Sequence, residues 1–221
     1  GAATTAAGSV GKITAKPVTV TPDSGQTMTY TGNTPTPTLT YTADSAPATG
    51  DSFTGALALV SPGRNAGSYA IGQGTLAVSD GNGGANYTFT FTPGVNYVVT
   101  KAPLTISAVT DTKVYDRDTA STALPTVSGL LSTDTVTGLV QAYADRNAGS
   151  GDKTLTVTAY TLTDGNGGAN YTVSTMANTT GTITPKTLTA GLTGTVEKVY
   201  DGTTAATLAA GISICGVSAS I

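Results

Sequence analysis

Threonine alternates with apolar side chains along much of this chain. YTFTFT (87–92) sets Tyr87, Phe89 and Phe91 on one side of an extended segment and three threonines on the other, the period of two that a half-buried strand requires. PLTISAV (103–109) and LTYT (39–42) follow the same rule. In TLTVTAYTLTD (154–164), Leu155, Val157 and Ala159 fall on one face, continued by either Tyr160 or Leu162. No stretch of 11 to 18 residues holds a 3.6-residue period. The pattern predicts a mainly β protein with few or no helices.

Composition sharpens that picture. Threonine, glycine, alanine and valine dominate, and branched Cβ atoms pack well on a pleated surface. The 28 glycines and 10 prolines supply the turns. Only 10% of the 221 residues are charged, the formal net charge is −3, and the seven lysines and three arginines are scattered. No basic footprint for nucleic acid emerges, and no apolar run is long enough to span a membrane as a helix. The one cysteine, Cys215, cannot form an internal disulfide, and histidine is absent. A His-based triad and a His/Cys zinc site are therefore excluded, and no enzyme activity is expected.

The chain repeats itself. RNAGS occurs at 64–68 and 146–150, DGNGGANYT at 80–88 and 164–172, and KVYD at 113–116 and 198–201. TKAPLTI (100–106) likewise aligns with TPKTLTA (184–190), and VGKITAK (10–16) with TGTITPK (180–186). A period of about 85 residues follows. One unit runs over 16–100 and a second over 101–184, while 185–221 begin a third. Residues 1–15 read as the closing strand of a preceding unit. The opening GAATTAAG lacks the charged and apolar regions of a signal peptide, and the chain is read as a piece of something longer. Joints of one or two residues beside proline predict units set stiffly end to end, each a small sandwich or a β-grasp-like sheet.

The motifs KVYDRDTASTAL (113–124) and KVYDGTTAATLA (198–209), with the recurring RNAG and DGNGGANYT segments, resemble the YDG-type and related MBG-type repeat domains of large bacterial surface adhesins, the haemagglutinin-like exoproteins. The second unit, with Tyr115 and Asp116, is similar to the YDG type. The first carries MTYTGNTP (28–35) instead, with Tyr30 and Gly32, and is similar to the MBG type. The resemblance implies a secreted or outer-membrane-attached adhesin in which such domains recur many times.

Each motif has an architectural reading beside a functional one. Asp80, Asn82 and Asn86, and equally Asp164, Asn166 and Asn170, form an oxygen-rich loop that could hold calcium. Each loop offers one carboxylate where calcium wants six to eight oxygen ligands, and Asn-Gly favours tight turns, so a turn is expected. Tyr115 and Tyr200 are expected to bury their rings, with Asp116 and Asp201 capping the turns that follow. Arg64 and Arg146 are expected to hold carboxylates within the fold, Asp116 being a possible partner of Arg146. Asn86, Asn170 and Asn178 lie in Asn-X-Thr sequons.

Two functions fit these readings. One is a stiff stalk whose partners are neighbouring repeats of the same polypeptide. The other is a weak multivalent binder of a glycan, a host surface protein or another copy, for which exposed aromatics among Tyr87, Tyr97 and Tyr160 would speak.

Overall fold

The computed structural model describes residues 11–188 and 198–204. Cys215, and most of what was expected of 185–221 and of residues 1–10, lies outside them. Among the described residues there are sixteen strands and no helix. They are β1 (Lys16–Pro22), β2 (Thr27–Thr29), β3 (Tyr41–Ala43), β4 (Ser52–Thr54), β5 (Ala58–Leu59), β6 (Gly67–Gly72), β7 (Ala77–Ser79) and β8 (Tyr87–Phe91). After them come β9 (Asn96–Thr100), β10 (Ala102–Ser107), β11 (Thr112–Val114), β12 (Thr126–Ser128), β13 (Thr135–Tyr143), β14 (Gly149–Thr163), β15 (Tyr171–Met176) and β16 (Asn178–Thr184). Residues 11–15 belong to no strand and are exposed.

The sequence repeat is also a repeat of strand pairing. β1 lies between antiparallel β3 and parallel β8, and β10 lies between antiparallel β12 and parallel β15. β2 runs parallel to β9 as β11 does to β16, and β9 pairs antiparallel with β6 as β16 does with β14. The chain is thus a tandem of small mixed β sheets.

Contacts gather the described residues into two compact units. The first comprises the residues up to Ser107 with Thr126–Leu139 and Ala159–Met176. The second comprises Ala108–Pro125, Val140–Thr158 and the residues from Ala177 onward. The second sequence repeat contributes strands to both.

The core of the first unit is continuous across the boundary between repeats. Val18, Val20, Tyr30, Ile71, Leu76 and Val99 of the first repeat share one buried cluster with Ala102, Leu104 and Tyr171 of the second. Alternation drives this. In β10, Ala102, Leu104 and Ile106 are buried while the residues between them are not, and in β8 Tyr87, Phe89 and Phe91 face inward. The second unit has a smaller core of Ala108, Tyr143, Leu155 and Ile183, against which Tyr115 and Val157 pack. Gln141, fully buried there, exchanges both amide hydrogen bonds with the Val109 backbone at 2.8 and 2.9 Å, so no polar atom is left unpaired.

One strand departs from its expected phase. Leu155 and Val157 point inward, but Ala159 is exposed, as is Tyr160, and the inward side resumes at Leu162 and Asp164. The five-residue step from Val157 to Leu162 changes parity; Val157 packs on the core of the second unit and Leu162 on that of the first.

Candidate functional site at the junction of the repeats

The two repeats meet within the first compact unit around one carboxylate. Asp134, in the turn before β13, is 5% exposed. Its Oδ2 accepts the hydroxyls of Tyr30, from the end of β2, and Tyr171, from the start of β15, each at 2.8 Å. The guanidinium of Arg64 donates to Oδ1. Arg64 also donates to the Asp164 carbonyl at 2.6 Å, and its carbon Cζ lies 6.0 Å from the centroid of the Tyr30 ring. Beside it the Ala66 N–H donates to the Asn170 side chain at 2.8 Å, and Asn170 donates to the Asn65 side chain at 3.2 Å. Arg64, Asn65 and Ala66 are the first three residues of RNAGS; Asp164 and Asn170 belong to the second DGNGGANY.

The sequence places these groups for local reasons. Tyr30 leaves β2 with its N–H on the Thr100 carbonyl at 2.8 Å, which anchors it to the last residue before the joint. A single residue, Lys101, separates β9 from β10. Gly32 follows with φ +81°, and a Cβ there would lie 2.3 Å from the Cβ of Ser132. That close approach, and the left-handed backbone, call for glycine.

Burial and the hydrogen bond to Asp134 push the hydroxyl pKa of Tyr30 up to about 12, and burial with the same acceptor does so for Tyr171. Both phenols are therefore donors throughout the physiological range, and with the Arg64 guanidinium they give Asp134 three side-chain donors.

The DGNGGANY loops are self-satisfied turns. In the first, Asp80 accepts the N–H groups of Asn82 at 2.8 Å, Gly84 at 2.7 Å and Asn86 at 2.9 Å. In the second, Asp164 accepts those of Asn166 and Gly168 at 2.8 Å and Asn170 at 3.0 Å. Three glycines with positive φ in each loop aim these donors inward. The bond from the Asn86 N–H leads in holding Asp80 below the usual carboxylate range. For Asp164 burial acts upward, and the three N–H groups outweigh it. Both carboxylate oxygens of each loop aspartate thus accept backbone N–H donors of the loop itself.

The Tyr-Asp motif belongs to the second compact unit. The Tyr115 ring is half-buried and Asp116 accepts the Asp118 N–H at 3.0 Å. Asp116 is paired with Lys113 at 2.8 Å, not with Arg146, which is exposed and enters no ion pair among the described residues. KVYD holds its own partner: Lys198 likewise pairs with Asp201 at 2.7 Å, and Asp201 accepts the Thr203 N–H at 2.9 Å. The Lys-X-X-Asp spacing in both copies was the available signal. The Tyr200 ring, expected inside, is 93% exposed. Gly32, Arg117 and Gly202, each two residues after the tyrosine, all have positive φ, so the third letter of the motif marks a left-handed turn.

Of the aromatics that were to decide on ligand stacking, Tyr87 and Tyr97 are buried and Tyr160 is exposed. Asn170, in a sequon, is fully buried with its amide engaged. Asp134 was not singled out from sequence, because nothing local in LLSTDT (130–135) distinguishes it from the other scattered aspartates.

Residues 18–95 match the model of the MBG domain (YGX type), and residues 100–180 match that of the YDG domain. The chain pairs an MBG domain with a YDG domain. No curated protein and no solved structure matches it. The Asp134 cluster is therefore a contact between two repeat domains of related but different type: Tyr30, Arg64 and Gly32 come from the MBG domain, and Asp134, Asp164, Asn170 and Tyr171 from the YDG domain.

Proposed function

We propose that the chain is a non-enzymatic repeat segment of a secreted or cell-surface bacterial adhesin, and that it serves as a stiff spacer presenting a distal binding region. The observation that carries this reading is the lock on Asp134, where two side chains of one repeat and one of the next satisfy a single buried carboxylate. A loose linker would leave such a charge in water. Here a one-residue joint and a shared core join the MBG domain to β10, β12 and β15 of the YDG domain. Small units bury a modest share of their surface, so coupling to a neighbour adds stability as well as direction.

A spacer gains length from each copy, roughly 30–40 Å if strands of about 8–10 residues run lengthwise. Small-angle X-ray scattering on the full chain tests this. A rod-like profile that is unchanged by millimolar calcium, and that becomes flexible in Asp134→Ala, supports the spacer. A flexible profile in the unmodified chain would sink it.

A further inference from the structure

The MBG domain carries its own copy of the half-joint that the YDG domain presents to it. Tyr87 donates its hydroxyl to Asp51 at 2.6 Å and accepts the Ala48 N–H at 2.7 Å. Tyr171 does the same with Asp134 at 2.8 Å and the Leu131 N–H at 3.0 Å. Both aspartates close the same turn, Asp51 N–H to the Ala48 carbonyl at 3.0 Å and Asp134 N–H to the Leu131 carbonyl at 3.2 Å. The chain also enters both halves along one path. Lys16 N–H donates to the Asn86 carbonyl at 2.8 Å, and Ala102 N–H donates to the Asn170 carbonyl at 2.9 Å.

The two copies differ in what covers them. Asp164 and Asn170 are 1% and 0% exposed, beneath Arg64 and Ala66 of the preceding repeat. Asp80 is half-buried and Asn86 exposed. Asp134 is buried beneath Tyr30 and Arg64, while Asp51 is half-buried. Two carboxylates, Asp51 and Asp80, thus share a partly solvated face built like one that elsewhere in this chain receives an arginine and a phenol.

We infer that the face of Asp51, Tyr87, Asp80 and Asn86 is the seat of a further repeat immediately upstream in the same polypeptide. That repeat carries a tyrosine hydroxyl and an Arg-Asn-Ala segment placed as Tyr30 and Arg64–Ala66 are. The occupant follows from three observations. The geometry continues that of the Asp134 joint, the acidic face complements an arginine, and VGKITAK (10–16) aligns with TGTITPK (180–186), the end of a repeat. Thr14 precedes Lys16 by the same two positions by which Thr100, the last residue of β9, precedes Ala102. The inference rests on reading the Asp134 cluster as the lock between successive repeats.

The test extends the full chain, replacing residues 1–14 with a copy of residues 16–100, and follows amide hydrogen exchange at Ala48, Gly84 and Asn86. Docking is expected to slow these amides about tenfold or more relative to the unmodified chain. Arg64→Ala within the added copy, or Asp51→Ala in the original repeat, should abolish the gain. Leu131 and Asn170, in the existing joint, should exchange alike in all of these chains, which reports that the rest of the fold is intact. No gain in the extended chain, or a gain that survives both substitutions, overturns the inference. So does concentration-dependent protection in the unmodified chain, which would make the occupant a second copy. Scattering on the extended chain separates the two readings: protection with a flexible profile removes the spacer and leaves the seat.

Discussion

Tyr30 and Tyr171 meet edge to face across the boundary of two repeats, with ring centroids 5.5 Å apart and planes inclined by 78°. Both donate their hydroxyls to one oxygen of Asp134. The quadrupoles of the rings favour this geometry, and the shared acceptor fixes it. Both are buried, at 1% and 3% exposure, in a core cluster drawn from both repeats.

Asp134→Ala should therefore cost more than an ordinary surface substitution. It leaves two buried phenols and one guanidinium without their acceptor, and stability should fall by roughly 3 kcal/mol. Tyr30→Phe and Tyr171→Phe should each cost about 1 kcal/mol, with the double variant departing from their sum because both act on one carboxylate. Urea unfolding at neutral pH checks all three; equal, near-zero effects would show that the cluster contributes nothing.

Alkaline pH should open the same joint. Tyr30 and Tyr171 ionise near 12 when folded, above the ordinary value of 10.0. A raised folded pKa leaves stability intact below 10, and stability then declines between 10 and 12 as the unfolded chain releases protons that the folded chain retains. Ultraviolet titration should show these two phenolates appearing late and together with unfolding. Their ionisation near 10 in a folded chain would contradict the buried cluster.

Gly32→Ala should loosen the junction and Arg117→Gly should not. A Cβ on residue 32 meets the Ser132 Cβ at 2.3 Å at a left-handed φ, so both steric and backbone terms are unfavourable, about 2 kcal/mol or more. Arg117 already holds φ +74° as a non-glycine residue, and relief of that strain should raise stability by about 1 kcal/mol, offset in part by the freer unfolded chain. Thermal melts of the two variants should move in opposite directions.

The two DGNGGANY loops should answer differently to the same substitution. Asp164 is buried at the junction and Asp80 is half-buried, so Asp164→Ala should destabilise more than Asp80→Ala. Both carboxyls ionise below the usual 3.8, so their contribution is present above that value and disappears as pH falls through the lowered folded pKa. Millimolar calcium should leave the melting temperature unchanged, because the carboxylate oxygens already accept N–H donors; a rise of several degrees would restore the loop as a cation site.

The sequence by itself determined the β class, the phase of its clearest strands and the period. The alternation in YTFTFT and PLTIS fixed which side of β8 and β10 would be buried, because a side-chain period of two is a local property of extended backbone. Asn-Gly pairs marked the turns for the same kind of local reason. The third letter of the Tyr-Asp-Gly motif likewise marks a backbone conformation, kept even where it is Arg117. What only the tertiary structure decided was partnership. Arg64 and Arg146 open identical RNAGS segments, yet one is locked on Asp134 and the other is exposed. Asn86 and Asn170 are likewise spelled the same and buried differently. A hydrogen bond between distant residues depends on which surface covers which, and identical local sequence carries no information about cover. The repeat supplies the same parts twice, and the fold decides what each copy meets.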